Sequence, residues 1–130
     1  MVHSYGLSHI QIAVRDLHRS LAFYQQLFGM NELYRVPQAH MVMLQTPGNN
    51  EVFTIKADPK NFDVAGKSAG VAHFGFRLRE PIEVNDLIEK VTAAGGTEIE
   101  HGSRTAGNES EKWLFTKDPD GYDIEIFWAL

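Results

Sequence analysis

Gly6-Leu7-Ser8-His9-Ile10-Gln11-Ile12-Ala13-Val14 and Gly70-Val71-Ala72-His73-Phe74-Gly75-Phe76-Arg77-Leu78 are two copies of one pattern. Gly6 answers to Gly70 and His9 to His73, at a common offset of 64 residues. Alternation of side chains over 7–14 and 71–78 predicts a strand in each copy, with two distinct faces. An internal repeat governs the whole fold reading. It also sets two imidazoles at related positions, as a pseudo-two-fold metal site requires. Six of the 130 residues are histidine. A second histidine at one preset position therefore has a chance of roughly one in twenty on composition alone.

Each strand leads into the same succession of elements. After the first, Asp16 can cap a helix whose apolar stripe is Leu17, Leu21, Tyr24 and Phe28, with Gly29 as its stop. Strands are expected over Asn31–Val36, Met41–Thr46 and Glu51–Lys56, the last two joined by the turn Pro47-Gly48-Asn49-Asn50. The polar stretch Ala57–Ala69, with Pro59, Gly66 and Ser68, reads as a linker. In the second half Pro81 fits the first turn of a helix with the stripe Val84, Leu87, Ile88 and Val91. Gly95-Gly96 ends it. Strands over Thr97–Glu100, Lys112–Thr116 and Tyr122–Trp128 follow, with Asp118-Pro119-Asp120-Gly121 as a tight turn. His101–Glu111 reads as a polar, mobile loop. The expectation is an α+β domain covering 1–130, made of two tandem βαβββ units (about 5–56 and 70–128).

Composition narrows the function. A chain of 130 residues suits one compact domain. The hydrophobic share of 43% and charged share of 22% are ordinary for a globular protein. A formal net charge of −5 argues against nucleic acid or an anionic membrane as partner. No apolar run approaches the ~20 residues of a membrane helix, and the first residues lack the pattern of a signal peptide. A cytoplasmic protein acting on a small molecule is expected. The absence of cysteine removes disulfide and thiolate chemistry.

Three stretches carry a family resemblance: His9-Ile10-Gln11-Ile12-Ala13-Val14 with Asp16-Leu17, Phe23-Tyr24 to Phe28-Gly29-Met30, and Asp118-Pro119-Asp120-Gly121-Tyr122-Asp123-Ile124-Glu125. With the two βαβββ units, from about Gly6 to Trp128, the chain resembles the vicinal oxygen chelate superfamily. That family holds glyoxalase I, extradiol dioxygenases, fosfomycin-resistance enzymes and bleomycin-resistance proteins. The resemblance implies that the units form a cup-shaped, half-open mixed sheet barrel around a divalent metal. It implies His9, His73 and Glu125 as metal ligands. The family's fourth ligand position falls on Glu51–Lys56. Matching strand ends puts Thr54 there, matching from the turn prolines puts Phe53 there, and Glu51 would need a larger register difference.

Two histidines and one carboxylate suit Fe(II), which is favoured, and also Mn, Ni, Co or Zn. Three protein ligands leave positions open for substrate. The plainer reading makes His9 and His73 ordinary strand residues. Against it, Glu125 lies in the apolar run Ile124–Trp128, where an unpaired carboxylate is costly to bury. Gln11, two residues beyond His9 on the same face, can hydrogen-bond substrate or be a satisfied polar group. His101 can act as acid or base, or be an exposed loop histidine without a role. Arg77 suits an anionic group or a rim salt bridge. Tyr122 is read as structural, and His3, His18 and His40 as surface groups. Phe53, Phe74, Phe76, Phe115, Phe127 and Trp128 are read as core, some of them lining a pocket.

The resemblance thus implies a metal-dependent enzyme whose substrate chelates through vicinal oxygens, leaning to extradiol dioxygenase chemistry. The glyoxalase-like lyase or isomerase alternative uses a metal-bound carboxylate as base, and none is matched here. Fosfomycin-type transferases carry threonine where Gln11 stands. The remaining alternative is a metal-free binding protein of the bleomycin-resistance kind. Family members of this size are homodimers, some with exchanged units, so His9 can meet His73 and Glu125 of its own chain or of another.

Overall fold

A computed structural model describes residues 1–68 and 70–130, with Ala106 described by its backbone alone. The last residue of the expected linker, Ala69, lies outside the described residues. The chain divides into unit 1, Met1–Ala65, and unit 2, Gly66–Leu130. Each has one α-helix and one four-stranded mixed sheet among the described residues, an α+β arrangement of βαβββ type. No helix among the described residues is long and apolar enough to cross a membrane.

Unit 1 consists of β1 (His9–Ala13), α1 (Leu17–Phe28), β2 (Asn31–Val36), β3 (Met41–Gln45) and β4 (Val52–Lys56). The helix begins because the Asp16 side chain accepts a hydrogen bond from the backbone N–H of Arg19 at 3.0 Å. It ends because Gly29 adopts the left-handed conformation, φ 63°, and donates its N–H to the carbonyl of Gln25. The strands lie in the order β1-β4-β3-β2, with β1 parallel to β4 and the other pairs antiparallel. Leu21, Phe23 and Tyr24 of α1 are buried with Val42, Leu44, Phe53 and Ile55 of the sheet. The Tyr24 and Phe53 rings are 4.6 Å apart between centroids. Burying such side chains contributes about 1.5–3 kcal/mol each and gives the unit its core.

Unit 2 repeats the plan with β5 (Phe74–Arg77), α2 (Val84–Ala94), β6 (Thr97–Ala106), β7 (Glu109–Lys117) and β8 (Asp123–Ala129), in the order β5-β8-β7-β6. Leu87 and Val91 of α2 and Leu114, Ile124, Ile126 and Trp128 of the sheet are buried. The turn between β7 and β8 is fixed by Asp118, whose Oδ1 accepts the backbone N–H groups of Asp120, Gly121 and Tyr122 at 3.0, 3.0 and 2.9 Å.

The structure corrects two element expectations. His101–Glu111 is not a loop: β6 runs on to Ala106 and β7 starts at Glu109, paired residue by residue from His101↔Leu114 to Thr105↔Ser110. The segment belongs to an edge strand and its neighbour, and the side chains of His101, Ser103, Arg104, Thr105, Glu109 and Ser110 are exposed there. The helix α2 starts at Val84, with Glu83 in extended conformation before it (ψ 134°), so Pro81 lies ahead of the helix and not in its first turn.

Candidate metal centre

Register decides which residues share a face. In unit 2, Gly75 pairs with Glu125 and Glu125 with Phe115, while Arg77 and Trp113 both pair with Phe127. Gly102 pairs with Trp113 and Arg104 with Glu111. One face therefore carries Gly75, Arg77, Gly102, Arg104, Glu111, Trp113, Phe115, Glu125 and Phe127. The other carries Leu114, Ile124, Ile126 and Trp128 and forms the core.

Glu125 sits on the first face, 7% exposed. His73, just ahead of β5, places Nε2 at 3.4 Å from Glu125 Oε2. The His73 ring stands edge-on to Phe115, with centroids 5.0 Å apart. Gly75 lets β5 lie close to β8: a Cβ there would come within 3.2 Å of the Glu125 carbonyl oxygen. The Oε1 atom of Glu125 is buried, with Arg104 Nη1 against it as an ion pair. Glu125 Oε2 beside the His73 Nε2 nitrogen is a donor pair that fits a divalent metal.

Unit 1 presents the same geometry with different residues. Gln11 pairs with Thr54 just as Gly75 pairs with Glu125. Of the three residues open for the fourth position, Thr54 is thus the register equivalent of Glu125. Phe53 pairs with Ile10 and is buried against Tyr24. Glu51 precedes β4 and accepts the backbone N–H of Thr46 at 3.2 Å, which ties it to the β3–β4 turn. His9 is exposed, and its Nδ1 is 2.7 Å from Ser8 Oγ. That contact turns Nε2 into the nitrogen for a metal when Nδ1 carries the proton and donates to Ser8.

The structure brings His73 and Glu125 together in unit 2, while His9 and Gln11 lie in unit 1. Within neither unit do three His, Asp or Glu side chains gather into a ready ligand set, among the described residues. His101 pairs with Leu114 and points to the face opposite Glu125, so the site of unit 2 does not include it. Arg77 makes a rim salt bridge with Glu109 at 3.4 Å, both largely exposed. Of the aromatic set, Phe115 and Phe127 lie on the Glu125 face, whereas Phe53 and Trp128 are core.

Sequence reasoning missed Arg104, Glu111 and Trp113. Arg104 donates from Nε to Glu111 Oε2 at 3.0 Å and lies 5.5 Å above the Phe127 ring centroid. The hydrogen bond to Glu111, and then the neighbouring Glu125 carboxylate, raise the Arg104 pKa above the ordinary arginine value. Glu111 is itself 7% exposed. The signal available in the sequence was Gly107-Asn108, a two-residue hairpin signature that sets Arg104 opposite Glu111.

The model of the Glyoxalase/Bleomycin resistance protein/Dioxygenase superfamily matches residues 6–126. The manganese-dependent 2,3-dihydroxybiphenyl 1,2-dioxygenase of Geobacillus genomosp. 3 is 27% identical over 122 residues, which cover 94% of this chain but 36% of that protein. The trivalent organoarsenical cleaving enzyme of Bacillus sp. (strain MD1) is 27% identical over 126 residues, covering 94% of this chain and 72% of that protein. A solved glyoxalase/bleomycin resistance protein/dioxygenase family enzyme from Burkholderia phytofirmans PsJN superposes with a TM-score of 0.72 at 22% identity, covering 95% of this chain and 98% of that one. That likeness concerns the fold. The chain spans about a third of the dioxygenase's length, so the match reaches one portion of that protein. With two βαβββ units in place and a family match running from residue 6 to 126, the chain belongs to the glyoxalase/bleomycin resistance protein/dioxygenase superfamily.

Proposed function

We propose that the chain is a divalent-metal-dependent enzyme acting on a small substrate that chelates through two vicinal oxygens, with extradiol-dioxygenase-like chemistry. His9, His73 and Glu125 hold the metal, Fe(II) or Mn(II) by preference. The observation that carries this is the pair His73 Nε2 and Glu125 Oε2, 3.4 Å apart on one sheet face, with the carboxylate itself buried. The manganese dependence of one relative adds support. When bound, the metal supplies Lewis-acid stabilisation of charge on substrate oxygen and open positions for two oxygen donors.

The chain's own residues do the rest. Phe115, Phe127 and Trp113 lie on the Glu125 face, half-buried, and give a planar apolar substrate a surface to lie on. Gln11 shares its strand face with His9 and can donate a hydrogen bond to a chelated oxygen. A lyase or isomerase of the glyoxalase kind needs a carboxylate base at the position where Thr54 stands, and that favours the dioxygenase reading. Cleavage of a trivalent organoarsenical is disfavoured by the absence of cysteine, since trivalent arsenic seeks thiolates.

The test is metal content of untagged protein, followed by oxygen uptake on a panel of catechols with Fe(II) or Mn(II). Bound metal and catechol-dependent uptake are expected. Metal-loaded protein inert towards every catechol but active on an α-hydroxycarbonyl compound would move the assignment to the lyase or isomerase class. Protein that neither retains nor is stabilised by any of the five metals would overturn the enzyme reading and leave a binding protein.

A further inference from the structure

We propose that Arg104 is a resident counter-cation for Glu125, which an incoming divalent metal displaces while Glu111 keeps hold of the guanidinium. The inference rests on Glu125 being a metal ligand, and it concerns how the protein holds that carboxylate before the metal arrives.

A carboxylate 7% exposed is costly to bury unless a partner neutralises it. Two cationic or potentially cationic groups approach Glu125, His73 at Oε2 and Arg104 at Oε1. Arg104 spends its directional bond elsewhere: Nε donates to Glu111, its cross-strand partner. Only the Nη1 end extends towards Glu125, passing over the Phe127 ring. On the same face Gly102 leaves room for the Trp113 ring, since a Cβ there would lie 2.7 Å from Trp113 Cζ2. The guanidinium is thus anchored at one end and placed by charge at the other.

Two carboxylates share this guanidinium, and that number matters. With both ionised, Arg104, Glu111 and Glu125 sum to one negative charge, which suits a cation and not an anionic substrate. If the metal takes Glu125, Arg104 still has Glu111, so no buried charge is stranded in either state. Arginine stays protonated throughout the range in which proteins fold, so the exchange is driven by metal concentration and not by pH. An arginine that merely ties β6 to β7 would need Glu111 alone.

The experiment titrates Mn(II) and Zn(II) into wild type, R104M, R104K, E111Q and E125Q. It also follows the arginine Nε–H and Nη–H resonances of wild type as diamagnetic Zn(II) is added. R104M should bind metal about tenfold more tightly, because a competing positive charge is gone, and should melt lower in chelator. R104K should stay within about threefold of wild type. E111Q should bind more weakly, since Arg104 then has only Glu125 to grip. In wild type the Arg104 Nη–H signals should move on Zn(II) addition while Nε–H stays bonded to Glu111.

Metal binding that is lost in E125Q but is no tighter in R104M overturns the counter-cation and leaves the metal ligands standing. Unmoved Nη–H signals alongside the expected affinities also overturn it, since a distant field effect of the charge would suffice. Wild type that binds nothing while R104M binds metal supports it. Absence of binding in both overturns the counter-cation and the metal reading together. Should R104M not fold, E111Q and the Zn(II) spectra decide by the same signs.

Discussion

Glu125 is a residue whose surroundings make sense only in pairs. Its oxygens face His73 on one side and Arg104 on the other. His73 stood out in the sequence as the second copy of a repeated strand motif, and Glu125 only through the family resemblance that includes the turn before it. Arg104 did not, because its role depends on a partner 21 residues away and on a strand that polar composition conceals. Ser8 belongs to the same scale. Nδ1 of His9 is 2.7 Å from its hydroxyl, and in the proposed site, with the proton on Nδ1, Ser8 would orient the ring and leave Nε2 as the donor. Losing such a partner costs about 10–100-fold in metal affinity, and an exposed position argues for the lower end. Ser8→Ala should therefore weaken Mn(II) binding about tenfold in a competition titration. An unchanged dissociation constant would show that Ser8 does not orient the ligand. His101 offers the contrasting case. It is exposed and stands on the opposite face of the sheet from Glu125, so His101→Ala should change catechol-dependent oxygen uptake less than about twofold. A large fall in kcat would return the imidazole to the reaction.

Elements were legible in proportion to their periodicity. The helix α1 announces itself by an N-cap aspartate, an apolar stripe and a glycine stop, and the structure places it over Leu17–Phe28. The hairpin β6–β7 has no such stripe, since its paired positions over Ser103–Thr105 and Ser110–Lys112 are polar or charged. Its pairing depends on backbone hydrogen bonds and a two-residue turn, which hydropathy does not register. The β7–β8 turn is the rigid counterpart. Gly66, φ 79°, packs so closely on it that a Cβ would lie 1.9 Å from the Asp120 carbonyl oxygen. Neither backbone can yield cheaply, because Asp118 holds three N–H groups of the same turn. Gly66→Ala should destabilise the protein by about 2 kcal/mol or more, from a left-handed backbone and an overpacked contact together. Chemical denaturation with an unchanged slope would read it. A loss below about 0.5 kcal/mol would mean that the 66–120 approach relaxes freely.

At the scale of the whole molecule, the repeat controls fold and function in different ways. Both units carry the same strand order and the same pairing of first with last strand. Where Gly75 faces Glu125, however, Gln11 faces Thr54, so symmetry supplies two histidines and only one carboxylate. The proposed ligand set therefore draws on both units, His9 from one and His73 with Glu125 from the other. A metal that binds the folded state alone stabilises it by mass action. At ~1,000 times its dissociation constant, a metal adds about 4 kcal/mol. For a chain of this length that corresponds to a rise in Tm on the order of 10 °C. Removing the metal with chelator should lower the melting temperature by that amount in wild type. His9→Ala and Glu125→Gln should each abolish the difference, although the two substitutions lie in different units. If Glu125→Gln abolishes it and His9→Ala leaves it intact, the metal belongs to unit 2 alone and the repeat has no share in binding it.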